Sequence, residues 1–465
     1  PARGGRGMSA ADTGPSVWQD EEPRHGRALS GEARADVAII GGGYTGLWTA
    51  LLLKERDPSL RVTIVESARI GFGASGRNGG FVDPSLTHGI ANGAEHFPDE
   101  QLELVRLGRE NYQAMERFVR EQQLDCDWEP VGKLDVALEP WQLDDLEEER
   151  ALYDQAGEHV ELLDAAATRR EVDSPTFLGG LHRPEGGAMV DPAFLAHELA
   201  RVAVERGVII HEDTPVTAVR RDGDGVRLRT TGGSLAAPRA VLATNAYSHR
   251  LIRRTGRWYV PVHDYVLATA PLTPEQRDRI GWRRRQGLSD SANQFHYYRL
   301  TPDDRILWGG YDAIYRFGNG VGPDTAHRPR TYALLERQFR QTFPQLDDVP
   351  FERRWGGPIA TTTRFTVAFG DELGGRVLWA LGYTGLGVAT ARFGGLVLTE
   401  RLLETDSELL RLKLTSTKPF PFPPEPLRWI GVNLTRRAIA RADRRRGRRG
   451  LWLRVLDWFG IGFNS

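Results

Sequence analysis

Gly41, Gly43 and Gly46 form a GxGxxG loop between an apolar run, VAII, and the helix-like segment YTGLWTALLLKE. In such a loop the first glycine permits a tight turn, the second lets backbone approach a pyrophosphate, and the third lets the helix lie close to the strand. The helix start adds N–H groups that face the anion. Glu66 closes the next strand-like run, where its carboxylate can accept hydrogen bonds from both hydroxyls of an adenosine ribose and disfavours a 2′-phosphate. These features fit either a nicotinamide or a flavin dinucleotide. The segment IGFGASGRNGGFV separates the two readings: Ser75, Arg77, Asn78, Gly79 and Gly80 make a compact polar loop that can hold a pyrophosphate while approaching a second ring system.

Other reactive side chains fall in aromatic stretches. Tyr259, His263 and Tyr265 alternate in YVPVHDYVLATA, and His296 and Tyr298 alternate in QFHYYRL, so one strand face could present each group to a common space. Ordinary sheet packing explains the same spacing. Arg316, Arg353 and Arg364 are candidates for a bidentate carboxylate site, although each also suits a solvated or ion-paired role. If none of them enters the cavity, a simple amine or polyamine becomes a better substrate than an amino acid. The chain has neither an HExxH pattern nor a Walker-type lysine beside its YTGLG loop, so the sequence gives no case for a catalytic metal or for ATP-driven chemistry.

The elements that must position these residues follow from periodicity. Ala35–Ile40, the glycine loop, its helix and Arg61–Glu66 form a strand, helix, strand unit that normally begins a doubly wound sheet. A helix is predicted over Glu100–Gln122. Another begins after Asp191 with Pro192 at its first position and ends at Gly207. Further strands are expected at Val208–His211, Val226–Thr230 and Ala240–Ala243, and a helix at Thr390–Leu403. The α/β chain therefore divides into a flexible leader (1–34), nucleotide-binding segments (35–95, 185–260, 350–405), interleaved segments of a mixed α+β region (96–184, 261–349) and a C-terminal extension (406–465).

The 465 residues suffice for two linked domains, and a formal net charge of −1 creates no global attraction to nucleic acid or membrane. Cys126 is the sole cysteine, which excludes an internal disulfide and suits a reducing, cytoplasmic setting. No apolar run is long enough to cross a bilayer. The extension joins a proline-rich connector to the basic, aromatic run RWIGVNLTRRAIARADRRRGRRGLWLRVLDWFG. Packing on its own subunit or self-association with a neighbour is preferred to a membrane surface, because Gly447 and Gly450 interrupt any single amphipathic helix. Without a recognition module, nucleic acid is not an expected partner.

VAIIGGGYTGLWTALLL, GASGRNGGFV, VLATNAY, ILWGGYD and ALGYTGLGVATARFGG, in that order, resemble the D-amino-acid oxidase superfamily of FAD-dependent oxidoreductases. The nearest branches are glycine oxidase, sarcosine oxidase and gamma-glutamylputrescine oxidase. The resemblance covers roughly residues 35–403 and implies a Rossmann-like FAD-binding domain interwoven with a mixed-sheet α+β substrate domain. It places Gly41, Gly43, Tyr44, Thr45, Gly46, Glu66 and Ser67 around the adenosine diphosphate, and Ala74, Ser75, Arg77, Asn78, Gly79 and Gly80 between pyrophosphate and flavin. It also assigns Val216 to the adenine and Ala243, Thr244 and Asn245 to a segment crossing near the cofactor. Gly382, Tyr383, Thr384, Gly385, Leu386 and Gly387 correspond to the loop facing the flavin pyrimidine ring, and Trp355 to an aromatic beside the flavin.

Leu386 replaces a histidine common in relatives, which alters the polarity there, and FTVAFG lacks their usual proline. Cys126 is remote from the family's attachment segment, so noncovalent FAD is expected, with His88 as the alternative linker. The implied chemistry is hydride transfer from the carbon beside an amine nitrogen to flavin N5, with oxygen reoxidising the flavin to give hydrogen peroxide. A dehydrogenase with another acceptor, oxidation of an alcohol or ring, and a nonenzymatic flavoprotein scaffold are the alternatives.

Overall fold

The computed structural model describes residues 16–19, 23–310 and 312–461. The predicted strand, helix, strand unit is realised as Val37–Ile40, Tyr44–Arg56 and Val62–Val65, with the two strands parallel and fully buried. Burial on both faces explains their unbroken runs of apolar and β-branched residues. Around them lies a six-stranded sheet in the order Ala368–Glu372, Val377–Leu381, Arg239–Leu242, Val37–Ile40, Val62–Val65, Ile209–His211. Only its Ala368–Glu372 edge pairs antiparallel. From Val37–Ile40 the chain first builds outward through Val62–Val65 and Ile209–His211, then returns on the other side as Arg239–Leu242. This reversal opens a crevice at the carboxyl ends of the two central strands, the usual ligand position in open α/β sheets.

A nine-stranded mixed sheet carries the second layer. Its long strand Val260–Thr269 pairs antiparallel with Ile306–Gly310 on one side and with Phe351–Thr361 along its length. Val260 faces Thr361, Val262 faces Ile359, Asp264 faces Gly357 and Val266 faces Trp355, so these eight residues share one sheet face. The reverse face packs into a core containing Tyr265, Leu267, Tyr298, Trp308 and Phe339.

The structure corrects the sequence-based divisions. Phe351–Thr361, assigned to the nucleotide region, belongs to the mixed sheet. Gln101–Glu121, placed in the inserted region, buries Leu104, Met115 and Val119 in the core shared with Leu47 and Leu51. Asn111 Nδ2 also donates to the Ala389 carbonyl at 2.9 Å, tying that helix to Gly387–Leu402. Part of the expected flexible leader is built into the fold: Gly31–Arg34 pairs parallel with Gly233–Ala237, and buried Trp18 donates to the Asn78 carbonyl at 2.9 Å. Residues 1–15 and 20–22 of that leader lie outside the described residues. The helix at Pro192–Glu205 follows its predicted signals, with the Asp191 side chain accepting from the Ala193 and Phe194 N–H groups.

Candidate functional site

A cavity of 1150 Å³ begins in the crevice between the central strands and reaches the Val260–Val266 face of the mixed sheet. Gly41 stands at its edge with φ +111°, and a Cβ there would lie 2.8 Å from the Ala243 carbonyl oxygen. At Gly46 a Cβ would lie 2.1 Å from the Gly41 carbonyl oxygen, so only glycine allows the helix its closeness to the loop. Of the residues predicted around the dinucleotide, all line the cavity except Gly46, Gly80 and Gly382, which stand behind its wall.

Hydrogen bonds lock this wall together. Ser75 Oγ accepts from the Tyr44 N–H at 3.0 Å, joining the two glycine-rich loops. Asn78 donates to the Ala74 and Ser75 carbonyls and accepts from the Gly80 N–H. Glu66 accepts from the Gly42 N–H at 2.7 Å, the Ala68 N–H at 3.0 Å and Ser67 Oγ at 2.9 Å. Burial nevertheless pushes its carboxyl above the ordinary value. Further on, Thr384 and Gly385 adopt positive φ and lead into the helix Gly387–Leu402, whose first turn carries no acidic side chain and no side-chain cap. That helix start therefore presents N–H groups and a positive dipole end to the cavity.

Among the predicted substrate-side residues, Trp355 lines the cavity and donates from Nε1 to the Arg77 carbonyl at 2.9 Å. His263 also contributes to the wall, but its Nδ1 lies 3.2 Å from the Ile314 carbonyl and burial lowers its pKa to about 4. The remaining four are turned away. Tyr259 hydrogen-bonds to the His249 ring and the Ala246 carbonyl, and Tyr265 to the Thr325 carbonyl. Tyr298 and His296 stack against Trp308 on the reverse face, with His296 Nδ1 2.7 Å from Asp290. In VPVHDYV the sheet face turned to the cavity is Val260, Val262, Asp264 and Val266, and of the alternate set Tyr259, His263 and Tyr265 only His263 also reaches the wall. Arg316, Arg353 and Arg364 are absent from the wall, and Arg364 instead donates to Thr417.

The structure adds a pair the sequence reading passed over. Tyr297 donates its hydroxyl to Asp264 Oδ2 at 2.5 Å, and both line the cavity. Burial raises the Asp264 carboxyl above its ordinary value, while the Tyr297 hydrogen bond and the Tyr265 and Gly310 N–H groups pull it back. The Tyr297 ring lies against Gly79, where a Cβ would come within 2.9 Å of it, so the pair adjoins the Arg77–Gly80 loop. An aspartate in the valine-rich strand VPVHDYVLAT was the available signal, because strands are depleted in aspartate and a buried carboxylate needs a partner. His88 also lines the wall, with its pKa lowered by burial to about 4, whereas Cys126 is buried elsewhere and its thiol pushed up to about 12. Among the described residues no cluster of side chains suits a metal ion.

The C-terminal extension completes the enclosure. Phe420, Phe422, Arg428, Thr435, Arg436 and Ile439 are among its cavity-lining residues. Its helix Leu427–Asp443 is fastened where Asp443 accepts from the Asn293 N–H and Nδ2, and where Arg436 pairs with Asp312 at 2.6 Å. The extension, expected to cover its own subunit or a neighbour, here packs on its own chain along the cavity.

A crevice at a topological switch point, a glycine loop opening a helix, Glu66 at the end of the second strand and a second layer enclosing a cavity are features of a dinucleotide-binding oxidoreductase fold. Residues 36–401 match the family described as DAO: FAD dependent oxidoreductase, and the chain belongs to it. It is 33% identical over 399 residues to the gamma-glutamylputrescine oxidoreductase of Escherichia coli, covering 85% of this chain and 89% of that protein. It is 29% identical over 382 residues to the probable oxidoreductase OrdL of Haemophilus influenzae, covering 81% and 84%. The crystal structure of glycine oxidase from Geobacillus kaustophilus superposes with a TM-score of 0.69 at 23% identity, covering 82% of this chain and 99% of that one, which shows the shared fold.

Glu66→Ala is expected to weaken FAD binding at least about tenfold. A hydrogen bond to a charged group contributes about 1.5–3 kcal/mol, and about 1.4 kcal/mol corresponds to a factor of ten. Flavin fluorescence during titration of the apoprotein checks this.

Proposed function

We propose that the protein oxidises a small amine whose ammonium group is received by Asp264, and that FAD is held without a covalent bond. The observation that carries the reading is the Asp264–Tyr297 pair on the cavity face beside the Arg77–Gly80 loop, together with the absence of Arg316, Arg353 and Arg364 from that wall. A carboxylate there favours a cation. A substrate carboxylate would need an arginine fork that these three candidates do not supply, and of the arginines that do line the wall Arg428 is bonded to Asn319 and Arg436 to Asp312. The similarity to a protein named gamma-glutamylputrescine oxidoreductase is compatible with a substrate that contains an amine.

The residues act before and around electron transfer. Asp264 orients the ammonium and accepts its proton, which leaves the nitrogen lone pair free to assist departure of hydride from the adjacent carbon. Tyr297 holds the carboxylate in place and lowers its proton affinity. Trp355, anchored on Arg77, supplies a flat apolar wall, and the aliphatic face of Val260, Val262 and Val266 excludes water. Bound FAD supplies the acceptor for the hydride. The helix start at Gly387 would offer backbone donors to negative charge that develops on reduction. Water then hydrolyses the imine product to a carbonyl compound and a released amine. Oxygen is the proposed final acceptor, and the cytoplasm, suited to a lone buried thiol, the proposed compartment.

The reading is tested by anaerobic bleaching of the oxidised-flavin absorbance with a panel of primary amines, secondary amines, amino acids and alcohols, followed by admission of air. Amines are expected to bleach fastest, amino acids more slowly and alcohols not at all, with recovery and peroxide once air enters. Bleaching by an alcohol alone would overturn the substrate class. Bleaching without recovery would replace oxygen by another acceptor.

A further inference from the structure

The C-terminal helix pair that roofs the cavity has a second face. Helix Leu427–Asp443 turns Leu434, Arg437 and Arg441 outward, while Leu427 and Ile430 are exposed at the rim of the cavity. Helix Leu451–Trp458 turns out Leu451, Val455 and Trp458, with Phe459 immediately after. Trp458 is 82% exposed and Leu451 80%, an arrangement that a surface washed only by water does not favour. The break predicted to spoil one long amphipathic helix instead creates two: the chain turns at Gly447, packed on Trp141, and Trp452 Nε1 then bonds to Thr435 Oγ1 at 3.0 Å.

Charge distinguishes the occupant. Residues 420–461 carry ten arginines and three carboxylates. All three carboxylates are engaged: Glu425 by the Tyr315 hydroxyl and Gly318 N–H, Asp443 by Asn293 and Gln294, and Asp457 by Arg449. The outward surface therefore joins apolar and aromatic side chains to positive charge, including exposed Arg444, Arg445, Arg446 and Arg448 in the turn. Tryptophan and phenylalanine beside arginine suit the headgroup boundary of a bilayer, where the rings enter the acyl edge and the guanidinium groups meet phosphate. A symmetric contact with a second copy would set the arginine runs against each other. Among the described residues no helix is long and apolar enough to cross a membrane, so the contact is peripheral.

We infer that this helix pair docks on an anionic lipid bilayer and seats the protein with the roof of its cavity against the headgroups. The test is cosedimentation of the full-length, FAD-loaded protein with vesicles of phosphatidylcholine alone or containing phosphatidylglycerol. At least about tenfold more protein is expected with the anionic vesicles. Leu451→Ser combined with Trp458→Ser should remove most of that binding while the flavin spectrum is unchanged. Arg444→Gln, Arg445→Gln and Arg446→Gln together should abolish the preference for anionic lipid. Equal pelleting with both vesicle types, or none, overturns the proposal. So does sedimentation velocity showing a defined oligomer that the serine variant dissociates without lipid, which would assign the face to a second copy. Because vesicle binding is the readout, failure here is separate from failure of the amine assignment.

Discussion

Replacing Asp264 by asparagine is expected to lower kcat/KM for an amine by about 10²–10³, within the contribution usual for a positioned general base, while stabilising the fold at neutral pH. Both effects have one origin. Burial raises the Asp264 carboxyl in the folded protein, so the folded state binds that proton more tightly than the unfolded chain. Below the unfolded value near 3.8 both states are protonated and the group contributes nothing. As pH rises through the folded value, the cost of a buried negative charge becomes complete and persists at pH 7. Asparagine removes that charge and keeps one oxygen to accept the Tyr297 hydroxyl, while its amide nitrogen in place of Oδ1 no longer accepts from the Tyr265 N–H, which offsets part of the gain. Thermal melts at acid and neutral pH should show the variant's advantage only at neutral pH.

The pH profile gives a sharper check. Proton acceptance requires ionised Asp264, so the acid limb of kcat/KM should belong to this group and disappear in Asp264→Asn. Tyr297→Phe should move the limb upward, since the lost hydrogen bond is one of the influences that lower the carboxyl. A limb unchanged in both variants would leave Asp264 with packing alone, and the substrate class would have to be sought elsewhere on the wall.

These outcomes turn on features that differ in how far the sequence displays them. The loop at Gly41–Gly46 and Glu66 lie within one contiguous unit of about thirty residues, and local spacing is enough to place them. The loop at Ala74–Gly80 follows directly, and its polarity and glycine content are visible in one line of sequence. Asp264 is different, because alternation separates two faces without saying which one meets the ligand. That choice is made by pairing with Phe351–Thr361, about ninety positions away, and by Trp308 and Phe339 claiming the other face. The chemistry of Tyr259, Tyr265, His296 and Tyr298 suits a site, whereas the hydroxyls of Tyr259 and Tyr265 bond backbone carbonyls and the rings of His296 and Tyr298 pack on Trp308. Gln101–Glu121 shows the same limit. Its periodicity fixes a helix, but only contact with Gly387–Leu402 reveals which layer it supports.

Deleting residues 420–465 tests the other feature hidden from local reading. The deletion leaves every strand and the whole of the matched region 36–401 intact, so the shortened protein is expected to fold and retain FAD. Its cavity would lose the wall made by Phe420, Phe422, Arg428, Thr435, Arg436 and Ile439, and water would reach the Asp264 side. Asp312 and Asn293 would lose the partners Arg436 and Asp443, which frees the loops carrying them. Loss of substrate positioning of this kind costs on the order of 10²-fold or more, so kcat/KM should fall by about that factor, with a rise in KM and faster proton exchange at the site. The flavin spectrum should shift toward that of solvent-exposed flavin, a change that a role confined to membrane docking would not produce. If kinetics and spectrum both survive the deletion, the roof is dispensable for chemistry, and its inward contacts serve only to hold the exposed face of Leu451, Trp458 and Phe459 in place.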